Sequence, residues 1–189
     1  MHPQQQLSQI LPALNGVVER ISPWQLTDPT PCDEFNVSDI LDHMIVLGGS
    51  FGYLFRGEEP PEIDAPAVAG WVPAPEFTKT MDDLLDAVHS PGAMERTVPT
   101  PLGEMPGETF ARLVAFDGLI HGWDIATATG QQVGLPSAVV DAVTMFAHQA
   151  LTDDLRDGDT FKQPTDPGAA ADAIARLAAF SGRSVAQAA

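Results

Sequence analysis

Basic residues are scarce in this 189-residue chain: nine Lys and Arg stand against 26 Asp and Glu, for a formal net charge of −17. Such a field repels nucleic acid and anionic membrane surfaces, and so argues against both as partners. It also opposes a multiply charged anionic substrate unless a metal or a local Arg offsets it, and it serves solubility on a solvated face. Cysteine is nearly absent too. The single Cys32 excludes an internal disulfide framework and a cysteine-based zinc site, and the cytoplasm is the simplest compartment. No apolar run approaches the roughly 20 residues that span a bilayer. The opening Met-His-Pro-Gln-Gln-Gln lacks the basic and apolar regions of a signal peptide. Aromatics make up only 7% of the chain while hydrophobic residues reach 44%, which suits a helical protein rich in Ala, Leu and Val. There is no internal repeat. A soluble protein of one domain, residues 1–189, acting on a small molecule, is the expectation.

Apolar periodicity supplies the elements. Leu7, Ile10, Leu11, Leu14, Val17, Val18 and Ile21 fit a helix over 5–21, with Pro12 bending it or marking its first turn. Residues 22–35, with Pro23, Pro29 and Pro31, read as an ordered loop. Asn36 as cap and Asp39 in the first turn open a second helix that runs to about Phe55. The stretch 57–75 reads as an irregular surface excursion that could cover a pocket. A third helix is predicted over 75–89, and an extended segment or short hairpin over 96–105. The longest helix spans 108–129, closed by Gly130. Pro136 starts another, through about Leu155, and 169–180 forms a last short one before Gly182. The fold class is mostly α: a bundle of four main helices with extra short helices and one irregular or short β connection.

The chemistry concentrates in Asp117-Gly118-Leu119-Ile120-His121-Gly122-Trp123-Asp124. Residues four apart lie one above the other on a helix face, so Asp117 and His121 point the same way. Phe110, Leu113, Asp117, Ile120, His121, Asp124 and Thr127 share one broad face. A buried carboxylate needs a partner, and Asp117 finds one either in His121, as a closed structural pair, or in a shared cation. His43 lies on the apolar stripe of the second helix with Ile40, Leu47 and Leu54. His43, Asp117 and His121 are therefore the candidate metal ligands, and three such ligands with an open fourth position describe a reactive centre. Asp124, three residues past His121, is a candidate outer carboxylate or general base, or else a loop cap. Trp123 packs between helices or forms a wall of the pocket. His2, His89 and His148 read as ordinary histidines, Cys32 as a buried structural thiol, and Gly48-Gly49 as a site of close helix packing.

Several segments together resemble a known family. Pro29-Thr30-Pro31-Cys32 leading into Val37-Ser38-Asp39-Ile40-Leu41-Asp42-His43-Met44, the block His121-Gly122-Trp123-Asp124-Ile125-Ala126-Thr127-Ala128-Thr129-Gly130-Gln131, and the closing Leu177-Ala178-Ala179-Phe180-Ser181-Gly182-Arg183 carry the likeness. The chain resembles the actinobacterial metal-binding proteins of the DinB-like superfamily, related to the N-terminal domain of mycothiol-dependent maleylpyruvate isomerase. The resemblance implies an up-down-down-up four-helix bundle, a divalent metal on His43, Asp117 and His121, and a link to small-thiol chemistry. Related isomerases carry Glu where this chain has Asp117, one methylene shorter, and they possess a second, C-terminal domain.

These readings converge on a divalent-metal-dependent enzyme, with zinc foremost and nickel, iron or manganese as alternatives. It would bind a small thiol, mycothiol by resemblance, and add or transfer it to an electrophile, or isomerise through such an adduct, as a transferase or isomerase. A hydrolase using metal-activated water and a non-catalytic metal or small-ligand binder are the alternatives. Arg56 and Arg96 are candidates for thiol contact because bases are few. Exposed Phe51, Phe55 or Trp71 would favour a homodimer.

Overall fold

In a computed structural model, residues 1–61, 74–100, 103–156 and 161–185 are described. Most of the 57–75 excursion, and Trp71 with it, lies outside them. Helix α1 (Pro3–Val18) starts earlier and ends sooner than its periodicity implies. Pro3 occupies the first turn, where a missing N–H costs nothing. Pro12 lies inside the helix on its exposed side, so the carbonyl it orphans, that of Ser8, stays in water. Helix α2 (Val37–Arg56) opens on a reciprocal cap: the Asn36 side chain accepts from the Asp39 amide at 3.0 Å, and Asp39 Oδ2 accepts from the Asn36 amide at 2.9 Å. It closes on Gly57 in the left-handed region, at φ 76°.

Helix α3 (Ala74–Val88) leads into an antiparallel hairpin of β1 (Thr97–Thr100) and β2 (Gly103–Pro106), with Val98 opposite Met105. Helix α4 (Gly107–Ala128) follows at once. Helix α5 (Ser137–Ala150) stops short of the predicted Leu155, and a single 3-10 turn, Asp153–Leu155, comes after it. Asp153 and Asp154 would have placed two carboxylates on the negative end of a longer helix. Helix α6 (Ala173–Phe180) begins later than 169 because the Asp172 side chain takes the Ala175 amide at 2.8 Å and sets the cap there.

In the bundle α1 packs against α3 and α4, and α2 packs against α3 and α4; α5 and α6 lie against the α1–α4 side. Leu7, Ile10 and Leu14 of α1, Ile40 and Leu41 of α2, Phe77 and Leu84 of α3, and Leu119 and Ile125 of α4 meet in one apolar core. Helix α4 is buried around most of its circumference, as a helix enclosed by neighbours must be. Thr127 is the exception on the face read from spacing: it is exposed. Gly122 explains how α1 comes so near, since a Cβ there would overlap Leu14 Cδ2. Gly48 similarly admits Met81 and Thr80 of α3. No described helix is long and apolar enough to cross a membrane.

Candidate metal centre

Because α2 and α4 are neighbours, the imidazole seven residues past the Asn36 cap meets the middle of α4. One ligand atom each from His43, Asp117 and His121 lies within 4.8 Å of the others. Ligands about 2.0–2.2 Å from one tetrahedral ion stand about 3.3 Å apart, so small side-chain adjustments suffice to close the set. The imidazoles of His43 and His121 meet edge to face, with centroids 4.9 Å apart. His121 Nε2 lies 3.5 Å from Asp117 Oδ1, which is too long for a strong hydrogen bond. His43 Nε2 is buried and has no hydrogen-bond partner among the described residues. An unsatisfied buried nitrogen costs about 1–3 kcal/mol, and a cation shared with Asp117 and His121 would remove that cost. The donor set thus fits a divalent ion.

Charge differentiates the two imidazoles. Burial pushes the His43 pKa down, against the pull of Asp117, which favours the neutral ring that a metal requires. Burial also works to lower that of His121, but Asp117 and Asp124 outweigh it and hold its proton above the ordinary histidine range. His121 Nδ1 is 3.3 Å from Asp124 Oδ2, a charged approach without aligned hydrogen-bond geometry. Asp124 is fully buried. Its counter-charge is Arg183, whose Nη2 stands 3.1 Å from Oδ2 and whose Nε stands 3.3 and 3.4 Å from the two oxygens.

The cluster opens into a pocket of about 560 Å³. Cys32 and Phe35 line it from the loop before α2, Phe116 and Ile120 from α4, and Phe161, Lys162, Gly182 and Arg183 from the C-terminal segment. The loop is shaped by Thr30, whose hydroxyl donates to the Phe35 carbonyl at 2.6 Å and accepts from the Cys32 amide at 3.2 Å. Across the mouth, Lys162 Nζ reaches Asp33 Oδ2 at 2.6 Å and joins the loop to that segment.

Several placements differ from those read in the sequence. Asp117 is not deeply buried: its side chain is 41% exposed, at the pocket rim, where a carboxylate is less costly. Cys32 is half-buried on the pocket wall, with burial pushing its thiol pKa up against the pull of Arg183. Arg56 pairs with Asp83 at 2.7 Å, and Arg96 lies beside Gly57 and Pro91; neither lines the pocket. Phe55 is fully buried and Phe51 packs edge to face on Phe110, so neither offers the exposed surface on which a dimer was expected. His89 contacts Ser8, His148 stacks on Phe180, and His2 precedes α1, all away from the cluster. Trp123 packs on the core. Arg183, Lys162 and Phe161 carry no periodic signal. The available hint was a base directly after a helix-ending glycine in a chain with nine Lys and Arg.

Comparison with known proteins agrees with this architecture. Residues 7–126, which span α1 to α4 through Ala126 and all three candidate ligands, match the mycothiol maleylpyruvate isomerase N-terminal domain. Uncharacterised proteins from two strains of Mycobacterium tuberculosis are 33% identical over 181 residues, covering 85% of this chain and 86% of theirs. Crystal structures of mycothiol-dependent maleylpyruvate isomerase and of a mutant of it share the fold, with a TM-score of 0.59 at 13% identity over 75% of this chain. The chain spans 66% of the length of that isomerase. By its sequence match and its helical architecture, the chain belongs to the family of the mycothiol maleylpyruvate isomerase N-terminal domain.

Proposed function

We propose that this protein is a divalent-metal-dependent enzyme that binds a small thiol, mycothiol by its family, and adds or transfers it to a small electrophile or isomerises through such an adduct. The observation that carries the reading is the convergence of His43, Asp117 and His121 on one pocket that also presents Arg183 and Lys162. Residues 1–189 are taken as one domain, since helices α1 to α6 share a single core. His43, Asp117 and His121 would hold the ion, with zinc the leading candidate. A divalent ion there supplies Lewis acidity, making a thiol that reaches it more acidic near neutral pH.

The remaining work falls to the chain itself. His43 is kept neutral by burial and is ready to coordinate. Asp124 sets a carboxylate 3.3 Å from the far nitrogen of His121. Phe35, Phe116, Ile120 and Phe161 reduce water around the reacting atoms and so strengthen the charge interactions made there. Arg183 and Lys162, held by Asp124 and Asp33, are the bases that the pocket lining offers to an anionic group. A hydrolytic reading needs a base facing the pocket; Asp124, the base named from the sequence, is fully buried, paired with Arg183 and not part of the pocket lining, so it does not fill that role.

The test combines metal content by mass spectrometry with turnover. About one equivalent of metal in the parent, far less in His43→Ala and His121→Ala, and electrophile consumption that requires added thiol are the expected results. Turnover without thiol, or a metal-loaded protein inert across an electrophile panel, would remove the thiol reading.

A further inference from the structure

The buried Asp124–Arg183 pair is larger in consequence than a structural tie. Asp124 is 0% exposed and one turn past His121 on the same helix, while Arg183 arrives from beyond α6, after residues 7–126 that match the N-terminal domain. The same oxygen, Asp124 Oδ2, stands 3.3 Å from His121 Nδ1 and 3.1 Å from Arg183 Nη2. A lone ionised carboxylate at that depth would be strongly disfavoured and would turn or take up a proton. The guanidinium grips it through two nitrogens, a geometry that fixes direction as well as charge. Oδ2 is thereby held 3.3 Å from Nδ1, and Nε2 is left facing Asp117 and His43.

We infer that Arg183 is a positioning residue for the metal centre: by pinning Asp124 it sets the tautomer and orientation in which His121 offers Nε2 to a divalent cation. The inference rests on the three-ligand reading given above. Two effects of Arg183 compete, since its own positive charge opposes a nearby cation while its hold on Asp124 favours one. The favourable effect is expected to win because Asp124 stands between Arg183 and His121, so the ring meets the carboxylate first. Partners that orient metal-bound histidines are worth about 10–100-fold in metal affinity.

Zinc affinity is measured on the full chain by competition with a chromophoric chelator, alongside thermal melts of the metal-free proteins. Arg183→Ala and Asp124→Asn are each expected to lose about 10–100-fold, and the double variant no more than either single one, because the pair acts as a unit. Arg183→Lys should recover part of the loss. Parent-level or tighter zinc binding in a folded Arg183→Ala overturns the inference, as does a double variant whose losses multiply. If Arg183→Ala does not fold, Arg183→Gln, of similar length and without charge, takes its place under the same criteria. Long-range proton–nitrogen spectra of the metal-free proteins separate this inference from the metal reading. If the parent takes up no zinc, the three-ligand reading falls alone, and the spectra, recorded at a pH where His121 is neutral, decide: a His121 proton confined to Nδ1 in the parent and shared between both nitrogens in Arg183→Ala supports positioning, and identical tautomers overturn it.

Discussion

Replacing Gly122 by Ala tests whether the close approach of α1 and α4 sets the position of His121, its immediate neighbour. In a helix interior the change alone would stabilise by about 1 kcal/mol. Here the added Cβ would overlap Leu14 Cδ2, and Leu14 is 1% exposed with little room to move. Overpacking of this kind costs about 1–3 kcal/mol. The overlap is deep, so the upper half of that range applies and a net loss of about 1–2 kcal/mol remains. Leu14→Ala by itself should cost about 2–5 kcal/mol through lost burial and a cavity. In the double variant the new methyl group enters that space, so the pair should be no less stable than Leu14→Ala alone, a coupling of at least about 1–2 kcal/mol. Gly118→Ala is the control, because its Cβ would meet Leu14 Cδ1 at 3.6 Å and Ile10 Cγ2 at 3.9 Å, ordinary contacts. It should be neutral or stabilising by up to about 1 kcal/mol. Urea unfolding reads all four variants, with the Gly122→Ala midpoint about 0.5 M below that of the parent. Additive losses, or a Gly122→Ala more stable than the parent, would refute the packing account.

The site carries three further expectations. Zinc at about 100 times its dissociation constant should add about 2.7 kcal/mol to stability and raise the melting temperature by about 5–11 °C; a chelator should reverse this, and His43→Ala should show no rise. Zinc affinity should climb with pH, because His121 keeps its proton above the ordinary range and a metal must displace it. The sign follows from the raised pKa: proton competition is full below it and fades as pH rises through it, so chelator competition should show affinity rising with pH from about pH 6 upward, and a flat profile would contradict it. Asn36→Ala removes one half of the cap on α2 and should cost about 1 kcal/mol in thermal or urea unfolding, with no loss pointing to a helix that does not depend on that cap.

Much of the molecule is legible in its sequence. Periodicity and cap signals marked the six α-helices of the described residues, the Asn36 and Asp39 pair marked the start of α2, and 96–105 read as an extended segment or short hairpin where β1 and β2 form. Asp117 and His121 were legible as a pair because i and i+4 on a helix must share a face whatever surrounds them. Boundaries drifted where side chains outside the periodic pattern decide them, as Asp172 does at α6 and Pro3 at α1. The exposure of Asp117, the burial of Phe55 and the pocket position of Cys32 were not legible, because each depends on which neighbour covers that face.

Local spacing along one helix is a property of the chain, and so the sequence by itself determined the helix elements, the acidic character and the Asp117–His121 pair. Which helices become neighbours is a property of packing. Tertiary structure alone brought His43 of α2 to that pair across the bundle, set Asp124 out of reach of the pocket, and carried Arg183 from 59 residues away to meet it. A contact between residues so far apart leaves no period in the sequence, since only the closing of the core around α4 fixes it.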